Sequence, residues 1–447
     1  MSNSALSRRR FLGLAAGAAG AATLAACGSS GPSSSSSGSG GGAASYWSLS
    51  GPPGQPYRQA AIDRFNKANP GSKITATFYQ NDAYKQKIKT ALGAGQGPTM
   101  IWGWGGGGLK TYVDAGQVVD LTDWFSQNAA VKQKILPSSF GAATVNGKIY
   151  AMPIETVQPI VLFYNKKLFD QVGAEPPQSW GDIMDLVPKF NAKGIAPFSL
   201  AGQSLWTNMM WLEFLFDRIG GPDVFGNVFD GQKGAWSNPA ALKALGDAQT
   251  LVKADGFQKG FQSTVADQNA DQALLFTGKA AMMVHGAWTY GSMKADGGDF
   301  VTGGNLGYMN FPPVDGGAGD ASATVGNPGQ YVSISSKASS EAVDAAKKML
   351  TTTMLDDTEV KKWVDSGNIP VVKSAGDLIS GVSDENDKPW LQYVYDTSSK
   401  ASVFAQSWDQ ALPPSQATPL LDNIGKLFQL SISPQQFADN MNKTIGT

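Results

Sequence analysis

The chain has 447 residues, with 36 acidic and 35 basic side chains and a formal charge of −1. That balance gives no footprint for nucleic acid, and one cysteine and one histidine exclude disulfides, zinc–thiolate sites and multi-histidine metal centres. Charged residues are sparse at 16 %, whereas the 53 glycines and 12 tryptophans are many for a globular protein.

Residues 1–26 read as an export signal. Arg8, Arg9 and Arg10 precede an apolar span, Phe11 to Ala26, that is too short and too rich in Gly and Ala to cross a bilayer, which takes about 20 apolar residues. Ser7-Arg8-Arg9-Arg10-Phe11-Leu12 resembles a twin-arginine export (Tat) motif. Leu24-Ala25-Ala26-Cys27 resembles a lipobox, in which the cysteine is diacylated and anchors the mature chain. Residues 27–45, almost all Gly and Ser beyond Cys27, read as a flexible tether. The folded part is expected from Tyr46, and its length favours two lobes over a single core.

Ser45 to Ser50 is a strand candidate, and Pro56 to Ala68 is a helix that Asn69-Pro70-Gly71 stops. Ile74, Ala76 and Phe78 alternate with polar neighbours as in a half-buried strand. Asp82 to Leu92 is a helix with Tyr84, Ile88 and Leu92 on one face, and Thr99 to Trp102 is a third strand. Strand–helix alternation of this kind predicts a parallel sheet with ligands at the carboxyl ends of its strands. Helices are predicted again at Ala240 to Ala254 and Asp267 to Phe276, and a strand at Ala280 to Val284. A further helix is capped by Ser339 or Ser340.

Gly103-Trp104-Gly105-Gly106-Gly107-Gly108 spells G-x-G-x-x-G, but a bulky Trp stands where backbone must meet a pyrophosphate, and the strand before it is the third in the chain. It reads instead as a flexible, ligand-facing loop. His285 ends a predicted strand and reads as a hydrogen-bonded packing residue, also able to orient a polar ligand. No G-x-S-x-G elbow is present, and Asp384, Glu385 and Asp387 lack EF-hand spacing. A carboxylate pair for glycoside hydrolysis stays open, because such residues pair only in space.

Trp47, Trp102, Trp104, Trp206, Trp211, Trp236, Trp288, Trp390 and Trp408 lie mostly at element ends or beside Gly, Asn, Gln and Asp, whereas Trp124 and Trp363 fit core positions. A pyranose has an apolar C–H face and a hydroxyl rim, so indole plates flanked by amides and carboxylates suit a sugar.

Several segments carry a family resemblance. They are "NDAYKQKIKTALGAGQGPTMIWGWGGGGLKTYVDAGQVVDLTDW", "YAMPIETVQPIVLFYNKKLFDQVG" with Tyr164-Asn165-Lys166, "FTGKAAMMVHGAWTYG" and "SWDQALPP". In their order and spacing, from about Tyr46 to the C-terminus, they resemble the carbohydrate-binding solute receptors of bacterial ABC importers, the group that includes maltose-binding protein. The resemblance implies an α/β, two-lobe periplasmic-binding-protein fold of type II, with the ligand cleft between lobes joined by hinge crossings near Pro153, Pro328 and Val372. One lobe would be residues 46–153 plus 328–372 and the other 154–327 plus 373–447. It implies sugar contacts at Trp104, Trp288 and Trp408. The remaining candidate ligand-binding residues are Asn81, Asp82, Glu155, Gln158, Trp206 and Asp409.

The expected function is capture of a di- or oligosaccharide outside the cytoplasmic membrane and its delivery to ABC permease subunits, by a lipid-anchored monomer with no cofactor, metal or nucleic-acid partner. The competing reading is a secreted glycosidase or lyase with the same aromatic cleft. A binder of peptide, phosphate or iron would need more Arg, His or Tyr in the cleft.

Overall fold

The computed structural model describes residues 44–446; the signal, Cys27 and the tether as far as residue 43 lie outside them. The first strand, β1 (Ala44–Leu49), buries alternate residues and lies between β2 (Ile74–Tyr79) and β3 (Met100–Gly103), parallel to both. It starts one residue before the expected Ser45, and two before Tyr46, from which the folded part is expected. The reason lies in pairing with distant segments: the Ala44 N–H bonds the Lys73 carbonyl, and Ser45 and Thr99 exchange side-chain-to-backbone hydrogen bonds. Helices α1 (Gly54–Ala68) and α2 (Asn81–Gly93) pack on this sheet, burying Ala61, Ile62 and Phe65 from one and Tyr84, Ile88 and Leu92 from the other. A short α3 (Gly106–Asp114) follows β3.

The sheet is not wholly parallel. The strands Gln330–Ile334 and Met152–Ile154 complete it, with Gln330–Ile334 antiparallel to β3, because that stretch arrives from the second lobe rather than through a helical crossover. The second sheet is built around Thr156–Asn165, which pairs with Thr324–Asn327, Ala280–Gly286, Leu306–Met309 and Ile369–Pro370. Ala196–Ser199 and Phe404–Gln406 form its edges. The helix Trp206–Gly220 crosses the core of this lobe and buries residues on every side, Met209 through Phe216 among them. The chain passes between the two sheets at Glu155 and at Pro328–Gly329, and near the expected third crossing Val372 bridges Ile135. Among the described residues no helix is long and apolar enough to cross a membrane.

Trp211, Trp236 and Trp390, which belong to the set of tryptophans whose sequence surroundings suit a sugar, are fully buried core side chains. The ring of each faces inward. Trp390 stacks on Tyr290 at 4.6 Å, and Trp211 packs edge-on against Phe198 at 4.7 Å.

One core carboxyl has a consequence for stability. Glu213 lies on the buried helix Trp206–Gly220, 4 % exposed, with Oε1 accepting the Trp408 N–H at 2.7 Å. Burial pushes its carboxyl up from 4.5 to about 8. Between those values the folded protein holds a proton that the unfolded chain has released, so this group's contribution to stability falls as pH rises through the window. The unfolding temperature is expected to drop between pH about 5 and pH about 8.5, and Glu213→Gln should flatten that drop. Equal slopes in the two proteins would refute the assignment.

Candidate functional site

A cavity of about 360 Å³ opens where the two sheets face each other. As the strand order predicts, the carboxyl ends of the parallel strands supply one wall: Ser50 follows β1, Asn81 follows β2, and Trp102 and Trp104 lie at the end of β3. The opposite wall comes from Trp206, at the start of its helix, and from Trp288, just beyond the strand Ala280–Gly286.

Of the five indoles that line the cavity, Trp363 among them, four are held in pairs. Trp102 and Trp104 meet edge-on at 4.7 Å, and Tyr84 packs against both. Across the cleft, Trp206 and Trp288 are 6.1 Å apart, each with an edge contact to His285 at 5.4 Å. Gly286 makes the second pair possible, because a Cβ there would overlap the Trp288 ring folded back over it. His285 is 2 % exposed; its Nδ1 accepts the Gly286 N–H and its Nε2 lies 3.3 Å from the Asp271 carboxylate. It is a packing residue at the cleft wall, with its polar atoms turned to protein.

Polar groups line the crossings that form the floor. Glu155 takes a left-handed backbone conformation, φ 59°, that aims its carboxylate at Arg58, which grips it with two hydrogen bonds of 2.7 Å. The Trp102 Nε1–H adds a third at 3.3 Å. Beside this pair stand three amides: Gln158, Asn327 and Gln330. The Gln330 carbonyl accepts the Thr156 N–H, which leaves its Nε2, the Asn327 Oδ1 and the Ser50 Oγ buried without a protein partner. Buried polar atoms of this kind are costly unless something bonds them, and hydroxyls of a bound ligand can do so.

Comparison with known proteins agrees with this geometry. The model of a family described as bacterial extracellular solute-binding protein matches residues 48–354. This chain belongs to that family. Its location is therefore outside the cytoplasm, and its members are receptors rather than enzymes. An uncharacterized ABC transporter extracellular-binding protein of Pyrococcus horikoshii is 25 % identical over 53 % of this chain and 54 % of its own length. A maltotriose-binding protein of Pyrococcus abyssi is 24 % identical over 54 % and 48 %. The chain thus spans about half the length of these curated relatives. A solved structure from work on xylan utilization by the thermophilic bacterium Caldanaerobius polysaccharolyticus superposes with a TM-score of 0.80 at 27 % identity, covering 90 % of this chain and all of that one.

In this solute-binding protein most, but not all, of the residues singled out from sequence meet in the cleft. Trp104, Trp206, Trp288, Asn81, Glu155, Gln158 and Asp409 all line it. Trp408 does not. It is 2 % exposed, stacks on Phe225 at 4.4 Å and packs edge-on against Phe216 at 4.7 Å, inside the core of the second lobe. Its backbone turns the next residue, Asp409, towards the cleft. Asp82 is also displaced from the expected role: its carboxylate accepts the Ser204 hydroxyl at 2.9 Å and the Trp206 Nε1–H at 3.2 Å, so it positions an indole at the rim of the adjoining cavity.

The glycine run is not a flexible loop. Cβ atoms at Gly105, Gly106 and Gly107 would overlap the carbonyls of Ala142, Gln410 and Leu412, so α3 docks backbone-to-backbone on the second lobe. The positive φ values of 75° at Gly105 and 60° at Gly106 fit that close approach.

Sequence reasoning missed Arg58, Asn327 and Gln330. Asn327-Pro328-Gly329-Gln330 is a turn-forming cluster between two apolar strands, and that signal alone would have drawn attention to its amides.

Proposed function

We propose that this protein captures a di- or oligosaccharide in the tryptophan-lined cleft and delivers it to the permease subunits of an ABC importer. The observation that carries the reading is the combination of four indoles on two opposed walls with unpartnered amides on the floor. Indole faces cover the C–H side of a pyranose, and amides both donate to and accept from its hydroxyls. The carboxylates at and beside the cleft are already engaged: Glu155 with Arg58, Asp409 with Lys85, Asp82 with Ser204 and Trp206, and Asp267 with the Asp82 N–H. That engagement supports binding without hydrolysis. Kinship with a maltotriose-binding protein supports the sugar class.

The two lobes are residues 46–153 with 328–372, and 154–327 with 373–447, and they close on the ligand as a hinged jaw about the crossings. Closure needs a ligand with higher affinity for the closed state, and a sugar between Trp104 and Trp288 touches both walls. Residues 1–26 act as a twin-arginine signal, Cys27 carries the lipid that holds the protein at the outer face of the membrane, and the stretch to residue 45 is the tether. The receptor works as a monomer.

A thermal-shift screen of the protein over mono- and oligosaccharides is expected to find a ligand that raises the unfolding temperature, because binding only the folded state stabilises it by mass action. Chromatography of that ligand after hours with the protein should return it intact. Product accumulating beyond one equivalent would instead support the glycosidase reading. For the anchor, Cys27→Ala should abolish metabolic lipid labelling and release the protein from the membrane fraction; undiminished labelling would refute it.

A further inference from the structure

A second cavity, of about 550 Å³, adjoins the cleft between α2 and α3 on one side and the helix Pro414–Phe428 on the other. Lys85, Trp102, Trp104, Trp206, Asp409 and Gln410 line both cavities. They therefore form a partition, with an inner chamber on the floor side and an outer chamber beyond. The movable part of that partition is Lys85. Its ammonium bonds the Asp409 carboxylate at 2.8 Å and lies 5.1 Å from the Trp104 ring centre and 5.9 Å from that of Trp206.

In this arrangement a cation lies beside the Trp104 ring, at the passage from the inner chamber to the outer. The Lys85 side chain is 27 % exposed and hangs from α2 on a flexible four-carbon stem. A partly exposed ion pair is weak, and a cation–π contact at such a site is modest, so a ligand offering a sugar face to Trp104 and hydroxyls to Asp409 can displace it. The outer chamber suits a further sugar ring, because Tyr112 and Leu421 give it apolar walls while Asp422 gives it an acceptor.

We propose that Lys85 is a length gate. A short ligand fills the inner chamber with Lys85 in place, whereas a linear oligosaccharide long enough to pass the partition moves Lys85 off Trp104 and seats its next ring in the outer chamber. The inference rests on the sugar reading above and adds to it a preference for chain length and the residue that sets it.

The test is calorimetric titration of the full chain, and of its Lys85→Ala and Thr418→Trp variants, with α-1,4-gluco- and β-1,4-xylo-oligosaccharides of two and five rings. The quantity read is the ratio of the short-chain to the long-chain dissociation constant within each protein. Any effect of Lys85 on lobe closure acts on both ligands and cancels in that ratio. Lys85→Ala is expected to raise the ratio about tenfold, because only the long ligand has to give up the cation's contacts. Thr418 is exposed on the outer chamber's wall, so Thr418→Trp should fold normally and lower the ratio by obstructing that chamber. Ratios equal within about twofold in all three proteins would overturn the gate while leaving the sugar reading intact. Absence of binding by every member of both series, together with no stabilising sugar in the thermal-shift screen, would overturn the sugar reading, and the gate with it.

Discussion

Trp408→Ala is expected to destabilise the folded protein by about 3–5 kcal/mol, the range for removing a large aromatic from a packed core. Trp408 lies against Phe225, Phe216 and Trp236 and is 2 % exposed, so truncation leaves a void that those rings cannot fill without leaving their own positions. Trp288→Ala should behave oppositely. Its ring is only partly buried at the cleft wall, so the unfolding midpoint should shift little while ligand affinity falls by about 2 kcal/mol, as for an aromatic anchor. Denaturant unfolding and calorimetry on the two variants separate the roles. A Trp408→Ala protein of normal stability that has lost its ligand would return this residue to the binding site.

The second large effect concerns Arg58 and Glu155. The pair is almost completely buried, with side chains 9 % and 6 % exposed, and Arg58 also donates to the Leu49 carbonyl. Arg58→Met should cost about 3–5 kcal/mol, because it strands a carboxylate in a site with little water to solvate it. Adding Glu155→Gln should recover a large part of that loss, since the stranded charge is then gone. The double-mutant cycle therefore has a large coupling energy as its expected result, and strict additivity would show that the pair is not coupled. The same bond ties α1 of the first lobe to the crossing at Glu155, so either single variant should also loosen the geometry of the cleft floor.

The readable parts of the molecule were those whose pattern is local. The alternation in β2, the Tyr84–Ile88–Leu92 face of α2 and the Ser339 cap each depend on residues within a few positions, and each stands where its pattern puts it. The parallel start of the sheet placed Ser50, Asn81 and Trp104 at one wall for the same reason. Trp408 was not readable, because whether an indole faces core or cleft depends on Phe225, Phe216 and Trp236, more than 170 residues away in the chain. Nor was the packing role of Gly105 to Gly107, since the carbonyls they meet belong to Ala142 and to the distant stretch from Gln410 to Leu412. The Arg58–Glu155 bond joins residues 97 positions apart and has no local signature.

The strand Gln330–Ile334 has a consequence for how the chain acquires its shape. It is the partner of β3 on one side and of Met152–Ile154 on the other, so the first sheet is divided until residue 334 has been made. Until then β3 has a bare edge, with unpaired N–H and C=O groups able to recruit a strand from another chain. Pairings across such sequence separations are slow to form, because a long loop must close before the ladder gives anything back. A nascent or C-terminally shortened chain ending before Ile334 therefore exposes an adhesive intermediate rather than a finished half, and the window between synthesis of β3 and synthesis of its partner is when the protein most needs shielding from its own copies.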